Sequence, residues 1–123
     1  LGKCDSFVAV AKRLHEEGKN IVIDRLHITE LVYGKTKRGK TNQAGCFAID
    51  MELASLGAVL CLVEPADIAR SNELAGEDQT EMNELFKSYS KISSMSVLTC
   101  NYDTIDETAD CIINYSCKYD FCS

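Results

Sequence analysis

The chain has 123 residues, enough for one domain around one core, and its net charge of −6 argues against a protein that coats nucleic acid. Apolar residues make up 46%, as in ordinary globular proteins. No apolar run approaches the roughly 18 residues of a membrane span. Seven cysteines, an odd number with no C-x-x-C pair, fit a reduced, cytoplasmic protein better than a disulfide framework, and Cys46, Cys61 and Cys111 lie within apolar runs.

In chain order, Asp5 or Ser6 is placed to cap a first helix with Phe7, Val8, Ala11 and Leu14 on one face, ended by Gly18. The short apolar run from Asn20 to Asp24 reads as a buried strand. Ile28, Leu31 and Val32 stand at helical spacing, so residues 28–33 are expected to be helical. A helix follows from about Gln43 to Leu56, carrying Phe47, Met51 and Ala54. Residues 58–63 are continuously apolar, as in a strand covered on both faces, and Pro65 stops them. Residues 64–78 are polar, with Arg70 as their one basic residue.

Asp78 and Glu81 form an expected capping box for a helix bearing Met82, Leu85, Phe86, Tyr89 and Ile92. Residues 97–100 read as another strand and 101–103 as a loop. Thr104 and Glu107 make a second capping box, before a helix with Ala109, Ile112 and Ile113. Strands alternating with helices, each crossover long enough to return parallel, predict a single α/β domain over 1–123, a three-layer arrangement with helices on both faces of a parallel sheet. Residues 20–24, 58–63 and 97–100 are its expected strands.

Residues 34–41, G-K-T-K-R-G-K-T, satisfy the phosphate-loop pattern G-x-x-x-x-G-K-S/T. A working loop of that kind leaves a buried strand and opens a helix. The stretch before Gly34 has a helical pattern instead, and the variable positions carry Lys35, Lys37 and Arg38. Two other readings of the segment are a solvated basic loop and a basic loop that helps hold a substrate phosphate.

The stretch NIVIDRLHITELVYG, most specifically from Ile21 to Gly34, resembles the signature of the thymidylate kinase-like nucleoside monophosphate kinases. In that family an apolar strand ends in Asp-Arg, and a short helix ending in Val-Tyr-Gly follows. The resemblance implies a phosphotransferase that moves the γ-phosphoryl group of ATP, with Mg2+, to a (deoxy)nucleoside monophosphate such as dTMP. Asp24 and Arg25, at the carboxyl end of their strand, would then orient and grip the acceptor phosphate. His27 and Tyr33 would flank the acceptor nucleoside, Arg38 would contact phosphate, and Arg70 would act from a lid over about 64–78. Asn101 and Tyr102 would approach the adenine.

Relative to the family, the chain lacks the N-terminal strand–loop–helix that carries the P-loop, a unit of about 30 residues. Two alternatives stay open beside the kinase. One is a catalytically inactive nucleotide-binding remnant or protein-interaction module. The other is an NTPase using Gly34–Thr41 as its own P-loop. The expected partners are a nucleoside monophosphate and ATP, not a nucleic-acid polymer or a membrane, with a homo-oligomer as a further expectation. For Asp24 and Arg25 the simpler reading is a capping acid and a surface cation; for His27 and Tyr33, a helix histidine and a packed aromatic.

Overall fold

The computed structural model describes residues 2–64, 67–76, 79–101 and 104–118. The order is α1 (Gly2–Glu16), α2 (His27–Tyr33) continued by a π-helical turn (Gly34–Arg38), α3 (Gln43–Ser55), β1 (Val59–Glu64), α4 (Ile68–Ala75), α5 (Thr80–Ile92), β2 (Ser96–Asn101) and α6 (Ile105–Lys118). The result is a mixed α/β protein, mostly helical, with a two-stranded parallel sheet. Among the described residues no helix is long and apolar enough to cross a membrane.

Two of the expected strands find each other. Val59–Glu64 pairs in register with Ser96–Asn101, Val59 opposite Ser96 and Glu64 opposite Asn101. Alternation along each strand sends Leu60 and Leu62 to one face of the sheet and Cys61 and Val63 to the other. On the Leu60 face, Ile28, Leu31 and Val32 of α2, Cys46 of α3 and Tyr89 of α5 form a buried cluster, joined by Leu60, Met82, Leu85 and Phe86. Val8, Ile49, Leu53 and Met95 make an adjoining cluster between α1 and α3. On the opposite face α6 approaches β2 through Cys111, which meets Cys100. Of the three expected parallel strands two are formed, with α5 against β1 and α6 against β2.

The strand expected over residues 20–24 is absent. Residues 21–23 run outside any sheet, and Val22 is 93% exposed. A strand requires a neighbour to take up its backbone N–H and C=O groups, and no described strand lies beside this run. The helix over 28–33 is found.

Helix phases differ from expectation at particular positions. In α3 the buried stripe is Cys46, Ile49, Asp50 and Leu53, and Met51 points to solvent. In α1 Val8 and Ala11 are buried while Phe7 is exposed, and the helix begins ahead of Asp5, which falls in its first turn. Ile92, the last residue of α5, and Ile113, in the interior of α6, are exposed.

Caps follow side-chain chemistry. Asn42 Oδ1 accepts from Gly45 N at 2.9 Å, and Asp67 Oδ1 accepts from Arg70 N at 3.1 Å. Thr104 Oγ1 accepts from Glu107 N at 3.1 Å, as the capping pattern predicts. Pro65 and Asp78, expected to stop β1 and to cap α5, lie outside the described residues.

Candidate functional site

The amino end of α2 is pinned by a buried polar network. His27 Nε2 lies 2.8 Å from Asp50 Oδ1, and the same carboxylate accepts from Ser93 Oγ at 2.7 Å and from Ser94 N at 2.6 Å. A carboxylate only accepts, so Nε2 carries the hydrogen of the first bond. Burial raises the Asp50 pKa, but the hydrogen bonds from His27, Ser94 and Ser93 outweigh it, and the carboxyl is held below its ordinary value. His27 Nδ1 is buried and has no hydrogen-bond partner among the described residues. His27, expected beside a nucleoside, is thus an interior residue joining α2 to α3 and to the turn before β2.

Arg25 lies two residues ahead of His27, in the turn that leads into α2. Its backbone is left-handed, with φ of 66°, the one non-glycine among the described residues with a positive φ. That conformation costs an ordinary side chain on the order of 1 kcal/mol or more and occurs preferentially at functional sites. The guanidinium Nη1 stands 3.5 Å from the Tyr33 hydroxyl, at the outer limit of a hydrogen bond. Among the described residues no carboxylate pairs with Arg25, so most of its donors face solvent. Tyr33 is half-buried against the α2–α3–α5 cluster. In a helix such a side chain leans toward the amino end, which explains how it meets a residue eight positions earlier. An open recess of about 270 Å³ lies alongside, lined by Phe7, Val10 and Leu14 of α1 and by residues 21–25.

Arg38 is engaged elsewhere. It forms an ion pair with the Glu30 carboxylate, and its Nη2 lies 3.5 Å from the Glu30 carbonyl. The turn carrying Lys35, Lys37 and Arg38 ends a helix, where cations offset the partial negative charge of the last carbonyls. The phosphate-loop pattern at 34–41 therefore has a structural explanation. Its first five residues are helical and Gly39 ends them in the left-handed conformation. Gly34 is buried against the returning chain; a Cβ there would lie 2.4 Å from Thr41 Cβ and 2.9 Å from the Lys40 carbonyl oxygen. A phosphate cradle presents free N–H groups between a strand and a helix. Here a helix precedes the glycine and its interior is filled by Thr41, so the segment does not fit a nucleotide triphosphate.

Asn101 lies at the carboxyl end of the sheet. Asn101 ends β2 opposite Glu64, the end of β1, and Arg70 is exposed on α4, which follows β1. Asp24 and Arg25 adjoin His27, and His27 is held beside Ser93 and Ser94, just before β2 begins. The Asp-Arg pair does not sit on a strand, contrary to the sequence pattern. The structure brings Arg25 and Tyr33 together, while Asn101 ends β2 and Arg70 is on α4. Tyr102 lies outside the described residues.

The residue missed by sequence reasoning is Asp50. Its signal is visible in retrospect: an acid on the buried stripe of an apolar helix, between Cys46 and Leu53, has to find donors. Among the described residues no group of His, Cys, Asp or Glu side chains is arranged to hold a metal ion. Compared with known proteins, the chain matches no family model, no curated protein and no solved structure.

Proposed function

We propose that this chain binds a nucleoside monophosphate at the turn ahead of α2, as the acceptor part of a domain similar to the nucleoside monophosphate kinases. The observation that carries the reading is Arg25: a cation in a strained left-handed backbone, free of any described carboxylate, with its guanidinium beside the Tyr33 hydroxyl. A planar fork of five donors suits a phosphate dianion. The Tyr33 ring and the apolar recess between α1 and residues 21–25 suit a base, and Asp24 borders the same recess.

Phosphoryl transfer is chiefly a matter of positioning and of neutralising charge. In the reaction implied by the resemblance, Mg-ATP supplies the transferred group. The described residues of this chain offer Arg25 to hold the acceptor phosphate and keep it from turning. Gly34–Thr41 does not suit the phosphates of ATP, its first five residues being helical and Gly34 packed against Thr41. The reading is therefore acceptor binding by this chain, with residues 1–123 alone showing no ATP turnover.

The test is a calorimetric titration of residues 1–123 with dTMP, thymidine and ATP. The expected order is dTMP tightest and thymidine much weaker, with Arg25→Ala lowering dTMP affinity about ten- to a hundred-fold, the worth of a charge-assisted contact of roughly 1.5–3 kcal/mol. Unchanged dTMP affinity in Arg25→Ala, or magnesium-dependent ATP turnover lost in Lys40→Ala, overturns the proposal.

A further inference from the structure

Three thiols gather on the face of the sheet opposite α5. Cys61 of β1 and Cys100 of β2 have sulfurs 3.8 Å apart, and Cys100 Sγ lies 3.1 Å from Cys111 Sγ on α6. All three are free thiols. Cys100 is fully buried, while Cys61 and Cys111 are partly exposed. None of them belongs to the proposed monophosphate site, and reduced cysteines kept only as small core residues have no need to meet sulfur to sulfur.

We propose that Cys100 and Cys111 form a dithiol modification site, which a low-molecular-weight disulfide converts to an intramolecular disulfide tying α6 to β2. Geometry selects this pair over Cys61–Cys100. Cys100 is in register with Val63, so Cys61 is its diagonal neighbour, two residues along the adjacent strand. A strand spacing of about 4.8 Å and two rises of about 3.3 Å put those Cα atoms about 8 Å apart, beyond the reach of a disulfide at about 7 Å. Cys100 and Cys111 are on different elements that pack together, eleven positions apart in sequence, and their sulfurs already lie closer than those of Cys61 and Cys100.

Access orders the two steps. Of the pair, Cys111 is the thiol that solvent reaches, so its thiolate attacks one sulfur of the reagent. The reagent's S–S bond breaks, one reagent thiol leaves with a proton, and Cys111 carries a mixed disulfide. Cys100 then gives its proton to solvent and attacks the Cys111 sulfur, and the second reagent thiol leaves. The protein loses two protons and two electrons, and the reagent disulfide becomes two thiols. Burial, with the neighbouring Cys111 and Cys61 thiols, pushes Cys100 up to about 12, so the second step is the slow one and quickens as pH rises. Cys61 stays a thiol.

The experiment treats the reduced full chain with oxidised glutathione at pH 8, traps remaining thiols by alkylation, cleaves at aspartates and locates linkages by fragment mass. A Cys117→Ser background keeps Cys111 alone on its peptide. The expected product is a Cys100–Cys111 cross-link that also forms in Cys61→Ser. Cys100→Ser is expected to stop at a glutathione adduct on Cys111. The same treatment in urea is expected to give mixed pairings, which ties the selectivity to the fold. A native product linked mainly through Cys61, loss of the cross-link in Cys61→Ser, or no cross-link in the folded chain overturns the proposal. The product in the Cys117→Ser background decides the case even where the Cys61 or Cys100 variant folds poorly.

Discussion

His27 and Asp50, 23 positions apart, meet through a 2.8 Å hydrogen bond with both side chains about 3% exposed. This bond joins α2 to α3, and the other bonds of the same carboxylate fix the turn that launches β2. One acid thus sets the relative position of the turn bearing Arg25 and the sheet.

Asp50→Ala leaves the His27, Ser93 and Ser94 donors without their acceptor. Breaking a buried charged network of this kind costs about 3–5 kcal/mol, against a total domain stability of about 5–15 kcal/mol. Asp50→Asn keeps the volume and part of the accepting capacity, and is expected to cost about 1–3 kcal/mol. Urea denaturation measures both, and a loss below about 0.5 kcal/mol for Asp50→Ala would refute the role given to the network.

The same carboxylate gives the acid side of the stability profile a defined sign. Its folded pKa is lowered from the ordinary 3.8, so near that pH the unfolded chain binds more protons than the native one. Asp50 therefore contributes stability that is present above pH 3.8 and lost as pH falls through the lower folded value. Urea midpoints between pH 5 and pH 2 are expected to fall less steeply in Asp50→Asn than in the wild type. Equal slopes would show that the group does not titrate as the network requires.

Arg25→Gly separates strain from binding. Glycine adopts φ of 66° without a Cβ penalty, and relief of the left-handed backbone is worth on the order of 1 kcal/mol. The variant is expected to be as stable as the wild type or slightly more so, while losing dTMP affinity as Arg25→Ala does. A stability loss of more than about 1 kcal/mol would mean that the Arg25 side chain holds the fold together rather than a ligand.

Gly34→Ala tests whether the 34–41 segment is a closed helix end. The new Cβ meets Thr41 Cβ at 2.4 Å and the Lys40 carbonyl at 2.9 Å, contacts that require the returning chain to shift. Overpacking of this order costs about 1–3 kcal/mol. Thr41→Gly in the same chain removes the closer clash and is expected to recover part of the loss. Thermal unfolding of the single and double variants measures the coupling, and a fully tolerated Gly34→Ala would reopen the segment as a mobile loop.

What the sequence made legible were features with local causes. Ala58–Val63 and Val97–Cys100 are apolar runs, and each supplies the other's hydrogen bonds, so both are strands. Thr104 caps α6 because its hydroxyl sits three residues from Glu107 N. Asn20–Asp24 has the same local character but no strand beside it, and local pattern alone carries no information about a neighbour. The phase of α3 departs from the expected Phe47, Met51 and Ala54 stripe because Asp50 faces inward, and its partners lie 23, 43 and 44 positions away, out of reach of a local pattern. The Arg25–Tyr33 approach was legible only in part. The two residues fall in one short motif, but the left-handed turn that joins them leaves no signature in an Asp-Arg-Leu sequence.

Val22 discriminates the observed chain path from the expected strand. It lies at the centre of the apolar run Ile21–Ile23, where a buried strand would place it in the core. There, Val22→Lys would put a charge among apolar groups, at a cost of several kcal/mol. In the structure Val22 is 93% exposed, so little apolar area is lost with its side chain, and the lysine ammonium reaches water directly. The expected change in stability is within about 0.5 kcal/mol, the usual range of surface substitutions. Leu31→Lys is the control, since Leu31 is fully buried in the α2–α3–α5 cluster, and it is expected to unfold the domain. Urea denaturation of the two variants at one protein concentration compares them directly. A loss of 3 kcal/mol or so in Val22→Lys, near that of a core position, would show that residues 20–24 are packed as a strand and that Asp24 and Arg25 stand at the end of one.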